Sequence, residues 1–217
     1  MKKLFLMVMA GAICLSASVK AEEFSTYVSL KGVITDTTAT LGEDDNDYKN
    51  IGVNFAVGTN VDTNIRVEFE IAHRNKDTNH FPYDDYTGSV YVEGQDNISL
   101  RTTSYMLNGY YDFYSQSVFT PYIGLGLGMA KVEYENAWSE SGYNPSSGAY
   151  MGIINGKDKY SKTKIVWNIA LGASYKVNEK LNLDLGYRHV DYGSFTDSDI
   201  KFETKSNEFS LGIRYAF

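Results

Sequence analysis

Residues 209–217 read Phe-Ser-Leu-Gly-Ile-Arg-Tyr-Ala-Phe, and every second residue of this segment is large and apolar. The residues between them are small, polar or charged, such as Gly212 and Arg214. Successive side chains of a β-strand point to opposite faces, so a period of two predicts a strand with one apolar and one polar face.

The same alternation recurs in seven earlier segments, and no apolar period of 3.6 residues, typical of a helix, runs through the chain. We predict eight strands, near 24–35, 48–58, 64–74, 99–113, 119–134, 163–177, 180–192 and 202–217. Between them, short turns near 59–63, 114–118 and 178–179 alternate with long loops near 36–47, 75–98, 135–162 and 193–201. Short turns at one rim and long loops at the other are typical of an outer-membrane β-barrel.

The polar face of the predicted strands carries charges of both signs beside small residues. In a bilayer the apolar face would meet lipid, and closing the sheet leaves no backbone edge unpaired in hydrocarbon. An eight-stranded barrel has an interior that side chains just fill, so opposed charges are expected to pair inside it. The sequence therefore predicts an all-β fold, an antiparallel up-and-down eight-stranded transmembrane β-barrel with a side-chain-filled lumen. The predicted lumen charge network is Lys31, Arg66, Glu68, Glu70, Lys164, Asp184, Arg188, Glu208 and Arg214.

A wall of ten strands is the alternative, if residues 89–93 or 149–154 enter it. Each segment is short, and no clear turn separates it from a partner. We expect these segments to extend strands beyond the membrane or to form small hairpins.

The composition excludes several classes of protein. The chain has 217 residues, a net charge of −7 and one cysteine, and its mean hydropathy is −0.32. A polytopic helical membrane protein would be more apolar, and a nucleic-acid-binding protein would be basic. A disulfide framework or a cysteine zinc site needs more than one cysteine.

The first 21 residues have a different character from the rest. Two lysines precede an uncharged run from Leu4 to Leu15, and small residues follow it up to Ala21. This arrangement predicts a secretory signal peptide over residues 1–21, cleaved after Ala21 following Sec-dependent export. Residues 22–217 are then the β-barrel domain.

Three segments resemble one family of small barrels. Residues 181–193, Leu-Asn-Leu-Asp-Leu-Gly-Tyr-Arg-His-Val-Asp-Tyr-Gly, resemble the penultimate strand of opacity-type, OmpA-like outer-membrane barrels. Residues 120–128, Thr-Pro-Tyr-Ile-Gly-Leu-Gly-Leu-Gly, resemble their glycine-rich fifth strand. Residues 209–217 look like their C-terminal assembly signal, with apolar positions Phe209, Leu211, Ile213, Tyr215 and Phe217.

The resemblance implies a location and a set of partners. It implies a Gram-negative outer membrane, insertion by the barrel assembly machinery, and contact with outer-membrane lipid and lipopolysaccharide. It also implies functions such as envelope integrity, adhesion to host surfaces or evasion of complement, which the loops of the family carry out. We expect a non-enzymatic structural envelope protein or an adhesin that acts through long extracellular loops. We expect a monomer.

The third long loop holds the candidate recognition residues. Apolar and aromatic side chains stand there among Ser, Gly and Asn, a composition typical of a surface that binds a host or environmental ligand. In the alternative interpretation, the same side chains pack on the second long loop or on each other. The candidates are Trp138, Tyr143, Tyr150 and Met151.

Catalysis would need a nucleophile beside an oriented base. His189 and Asp191 share one strand face, but Ser194 points the other way. We therefore expect no enzyme, no cofactor and no metal site, and take the oxygen-rich segments 42–47 and 80–85 as solvated acidic loops. Two alternatives remain: a small porin with a narrow channel, and a lipid A-modifying hydrolase that uses His189.

Overall fold

The computed structural model describes residues 25–41, 44–88, 90–113, 117–197 and 200–217. Its eight strands are β1 (Thr26–Leu41), β2 (Asp44–Asn60), β3 (Ile65–Thr87), β4 (Val90–Asp112), β5 (Phe119–Tyr143), β6 (Tyr150–Lys176), β7 (Leu181–Asp197) and β8 (Ile200–Ala216). Each strand pairs antiparallel with the next, and β1 pairs with β8 to close the barrel. The predicted fold class is confirmed. The predicted signal peptide lies outside the described residues.

Within the described ranges, no helix is long and apolar enough to cross a membrane.

The apolar face of the strands lies on the outside of the barrel. In β5, Leu125 and Leu127 are 65% and 61% exposed, whereas Ala130 on the other face is fully buried. The outward residues of β6 are apolar from Ile165 to Tyr175. At about 3.3 Å per residue and a strand tilt of about 40°, this stretch is roughly 25 Å tall, which matches the apolar band of an outer-membrane barrel.

Aromatic pairs lie at both edges of this apolar band. Tyr215 and Phe217 pack with ring centroids 5.7 Å apart at the short-turn rim. Tyr187 and Phe209 pack 5.1 Å apart toward the other rim. Amphipathic rings at both edges form the aromatic girdles that anchor a barrel at the two membrane interfaces.

The four central strands are far longer than a membrane requires. They contain 23, 23, 25 and 27 residues, whereas about 9–11 residues span a bilayer. The prediction of long loops over 75–98 and 135–162 was therefore wrong, because most of these residues continue β3–β6 as two tall hairpins. The expectation that segments 89–93 and 149–154 extend strands beyond the membrane is confirmed from Val90 and from Tyr150 onward. The predicted loops over 36–47 and 193–201 likewise continue the strands on either side. Outside the membrane both strand faces meet water, so the alternation fades while backbone pairing continues.

Candidate functional site

Among the residues that the structure describes, ten charged side chains form ion pairs inside the barrel, five cations and five carboxylates, and we call them the lumen cluster. Their formal charges cancel, as burial away from water requires. The members come from five of the eight strands, β1, β3, β4, β7 and β8. They are Lys31, Arg66, Glu68, Glu70, Arg74, Asp112, Asp184, Arg188, Glu208 and Arg214.

The half of the lumen cluster nearer the short turns is built around Arg66. Its Nε lies 3.0 Å from Asp112 Oδ1, and its Nη1 lies 2.9 Å from Glu68 Oε1. The Lys31 ammonium lies 3.2 Å from Glu68 Oε2 and 3.7 Å from Glu70 Oε2. Lys31 thus links this half of the cluster to the other.

The outer half of the lumen cluster is built around two carboxylates. Arg188 Nη1 lies 2.6 Å from Glu70 Oε1, and its Nη2 lies 2.6 Å from Glu208 Oε2. Arg74 Nη2 lies 2.7 Å from the same Glu208 oxygen. Eight charges of alternating sign therefore follow one another across the lumen from Asp112 to Arg74.

Aromatic rings fill the space beside these charges. Tyr27 donates a hydrogen bond from its hydroxyl to Glu68 Oε1 at 3.0 Å. The Arg66 guanidinium lies 4.1 Å from the centroid of the Tyr110 ring and 4.7 Å from that of Tyr122. Rings at these distances contribute cation–π attraction and exclude water from the ion pairs.

Glycines on the inner face of β5 make room for the side chains of neighbouring strands. Asn168 on β6 donates to Asn108 Oδ1 on β4 at 3.0 Å. Gly126 lies between these two residues in the strand register. A Cβ on Gly126 would overlap both amide groups. The glycines on the inner face of β5, which we call the glycine stripe, are therefore part of the lumen packing.

Side chains fill the part of the lumen that the lumen cluster crosses. A cavity of about 20 Å³ lies among Lys31, Glu70, Tyr110, Arg188 and neighbouring side chains, which is room for about one water molecule. The guanidinium and carboxylate groups of the lumen cluster cross the same space, so a permeating ion would have to break several ion pairs.

The structure places eight of the nine sequence-predicted charges in the lumen cluster, but not Lys164. That side chain is half-buried, and the charges that act on it are those of Lys162 and Asp191 near the outer mouth. The sequence reasoning missed Arg74 and Asp112. Both continue the inward phase of their strands, so carrying the period of two to the strand ends would have found them.

The predicted C-terminal assembly residues all face outward. Their exposed fractions lie between 42% and 71%. This face is therefore available to lipid, or to another protein during insertion. The residues are Phe209, Leu211, Ile213, Tyr215 and Phe217.

A row of four tyrosines crosses the ends of the β3–β4 and β5–β6 hairpins, and we call it the tyrosine row. The register pairs Tyr86 with Tyr91, Tyr91 with Tyr143, and Tyr143 with Tyr150. The rings of Tyr86 and Tyr91 are 5.3 Å apart, and those of Tyr143 and Tyr150 are 5.7 Å apart. Paired residues of adjacent strands point to the same side. The tyrosine row therefore consists of two ring pairs on one face of the hairpins, joined by the Tyr91–Tyr143 register.

A groove of about 470 Å³ lies beside the tyrosine row, lined by residues of both hairpins. Tyr150 and Met151 are 58% and 60% exposed, and Tyr143 is half-buried. Trp138 lies further down β5, opposite Gly156 of β6. The four candidate recognition residues thus divide into three at the hairpin end and one on its flank.

His189 has partners on the outer surface of β7. Its Nδ1 lies 2.9 Å from Asn207 Oδ1, and its ring packs against Trp167 with centroids 6.4 Å apart. In the described part of the chain, no three His, Cys, Asp or Glu side chains are grouped so that they could hold a metal ion.

Known proteins with similar sequences include an outer-membrane protein and opacity proteins of bacteria. The family described as outer membrane protein beta-barrel domain matches residues 5–217. Outer membrane protein PagN of Salmonella typhimurium is 34% identical over 130 residues, which cover 54% of this chain and 51% of PagN. Opacity protein opA50 of Neisseria gonorrhoeae is 27% identical over 138 residues, which cover 58% of this chain and 57% of that protein. The chain thus spans about half the length of the curated relatives it matches.

The fold has a counterpart among solved structures. The crystal structure of Neisserial surface protein A superposes with a TM-score of 0.55 at 21% identity, covering 90% of this chain and 100% of that one. The likeness concerns the fold.

Proposed function

We propose a function from one premise: the chain belongs to the outer membrane protein beta-barrel domain family and lies in the bacterial outer membrane. On that premise, the protein is a sealed, non-enzymatic barrel that attaches the cell to host or environmental surfaces through the β3–β4 and β5–β6 hairpins. The observation that carries the proposal is the tyrosine row with its groove at the ends of these hairpins.

The hairpin ends have the character of a binding surface. Tyrosines combine a large rigid contact area with a polar hydroxyl, and they are enriched in protein interfaces. The start of β6 also exposes a cluster of large apolar side chains to water, and such exposed patches often mark interaction sites. The cluster consists of Tyr150, Met151, Ile153 and Ile154. The paired strands hold these side chains away from the membrane on a hydrogen-bonded support.

The two alternatives from the sequence have less support. The lumen cluster weighs against a small porin, because its ion pairs and aromatic rings occupy the space that a channel needs. The surroundings of His189 give a hydrolase little support, because the contacts of its ring are with the Asn207 amide and the Trp167 ring, and neither is a nucleophile.

We also propose that the barrel assembly machinery reads residues 209–217. The outward apolar positions of this strand are accessible along their whole length, and the strand lies at the β1–β8 closure. Both features suit a segment that is recognised before the barrel closes.

Adhesion depends on the hairpin ends in this account. A non-adherent Gram-negative host that displays the triple variant Tyr143→Ser, Tyr150→Ser and Met151→Ser is expected to bind epithelial cells or matrix at least five-fold less than a host with the unchanged protein. The measurement is the number of adherent bacteria per surface area at equal surface expression.

The matched control is Tyr160→Ser. It removes a 67% exposed tyrosine from β6, the strand that also holds Tyr150 and Met151, at a position away from the hairpin end. It is expected to leave adhesion unchanged. Equal adhesion of the triple variant and the unchanged protein would contradict the proposal.

A further inference from the structure

Charged side chains are distributed unevenly around the outside of the barrel. In the first roughly 20 Å above the apolar band, the described outward residues of β3–β6 include five cations and two carboxylates, and we call this region the cationic face. The carboxylates are Glu133 and Glu135. The cations are Lys76, Arg101, Lys131, Lys157 and Lys159. The outward carboxylates Asp84 and Glu93 lie farther out, near the end of the β3–β4 hairpin.

The opposite wall has the reverse balance at the same level. The described outward residues of β1, β2, β7 and β8 include two cations, Lys49 and Lys205, against four carboxylates. These carboxylates are Asp36, Asp47, Asp191 and Glu203. The excess of positive charge is thus a property of one side of the barrel.

The cationic face starts where the apolar band ends. On β5 the lipid-facing Met129 is followed at the next outward position by Lys131, which is about half exposed. On β4 the outward Tyr105 is followed after Thr103 by Arg101. At about 3.3 Å per residue and a tilt of about 40°, the cations lie roughly 5–20 Å above the last apolar row.

One carboxylate holds three of these cations together. Glu135 lies 2.8 Å from Lys76 Nζ, 2.7 Å from Lys157 Nζ and 3.2 Å from Lys159 Nζ. These hydrogen bonds, led by those from Lys157 and Lys76, lower the pKa of Glu135 to about 2, so it stays ionised. A single negative charge leaves the three lysines with a net positive charge, and the ion pairs place their ammonium groups around one carboxylate.

We propose that the cationic face binds the phosphate groups of lipid A in the outer leaflet that surrounds the barrel. Three observations support this occupant: the charge excess is confined to one wall, it faces sideways into the leaflet, and it adjoins the apolar band that contacts acyl chains. A phosphorylated lipid has both an apolar and an anionic part, so it matches both surfaces at once. This proposal rests on the barrel and is independent of adhesion.

The test compares lipid retention by two triple variants of the full chain. Arg101→Gln, Lys131→Gln and Lys159→Gln together remove charge from the cationic face. The matched control, Lys49→Gln, Lys180→Gln and Lys205→Gln, removes three lysines from the opposite wall and a short turn. Each protein is folded in detergent micelles, titrated with diphosphoryl lipid A, with fully dephosphorylated lipid A or with a soluble heparin fragment, and assayed by native mass spectrometry.

The unchanged protein and the control are expected to bind diphosphoryl lipid A at least ten-fold more tightly than the cationic-face variant. All three are expected to bind dephosphorylated lipid A equally. Equal binding of diphosphoryl lipid A by all three proteins would overturn the proposal. It would also be overturned if the cationic-face variant lost binding to heparin but not to diphosphoryl lipid A, because the ligand of the cationic face would then be a soluble polyanion. If the cationic-face variant does not fold, its unheated and heated samples will run at the same position on a gel. The single variant Lys131→Gln is then tested in its place and is expected to weaken diphosphoryl lipid A binding two- to three-fold. No change in binding would overturn the proposal.

Discussion

Replacing Glu208 by alanine is expected to lower the free energy of unfolding by about 3–5 kcal/mol, the cost of breaking a buried ion pair by removing one partner. Glu208 is 2% exposed and accepts hydrogen bonds from both Arg74 and Arg188. Without it, two guanidinium groups face each other in the lumen, and Glu70 is the one carboxylate that still pairs with either of them among the described residues. The remaining acceptors of Arg74 are the neutral Asn54 amide oxygen and the His73 carbonyl oxygen. The measurement is a urea titration in lipid vesicles, followed by the gel mobility of unheated samples.

A control on the same strand separates the lumen from the surface. Glu203→Ala removes a partly exposed carboxylate that pairs with Lys205, and exposed ion pairs contribute about 0–1 kcal/mol. A second replacement, Arg74→Met in the Glu208→Ala background, removes one stranded charge and is expected to restore part of the loss. A Glu208→Ala protein as stable as Glu203→Ala would show that the lumen cluster does not stabilise the barrel.

Replacing Gly126 by valine is expected to lower the free energy of unfolding by about 3 kcal/mol or more, or to prevent folding. The new side chain would overlap the Asn108 and Asn168 amides and break the hydrogen bond between them. Overpacking costs about 1–3 kcal/mol, and a buried amide left without its partner costs about 1–3 kcal/mol more. Two measurements test this: the yield of folded protein, which changes its gel mobility when the sample is heated, and the urea concentration at the midpoint of unfolding.

Gly109→Val is the matched control, because a Cβ at Gly109 meets no other atom within 4 Å. Gly109 lies on the lipid-facing side of β4, next in register to Leu125. The control is therefore expected to fold as well as the unchanged protein. If the two valine variants fold equally well, the glycine stripe is not required for lumen packing.

Much of the membrane-embedded fold could be predicted from the sequence. Lipid outside and a packed lumen inside impose opposite requirements on successive residues, so the period of two is strong in segments such as 163–177. The eight strands and the family resemblance of residues 120–128, 181–193 and 209–217 are confirmed. Phe24 and the predicted cleavage after Ala21 lie outside the described residues, so they stay predictions.

The outer hairpins could not be predicted in the same way. Residues 75–87 and 135–143 continue as strands although their alternation is weak, because water on both faces removes the difference between them. The tyrosine row depends on a register across four strands, and the spacing of Tyr86 and Tyr150 in the sequence carries no trace of it.

The charges of the lumen were predictable as residues but not as pairs. The inward phase identifies Glu70 and Arg188, yet they are 118 positions apart and meet only across the closed barrel. The same phase, followed to the strand ends, includes Arg74 and Asp112. Lys164 has the inward phase too, but it lies near the mouth, where its surroundings are Lys162 and Asp191.

A sealed lumen, with function outside it, can be tested by the conductance of the refolded protein in a planar bilayer. We expect no reproducible conductance steps, because the lumen cluster and the rings of Tyr27, Tyr110 and Tyr122 cross the interior. Large, reproducible steps from the unchanged protein would contradict a sealed lumen and would make the barrel a channel.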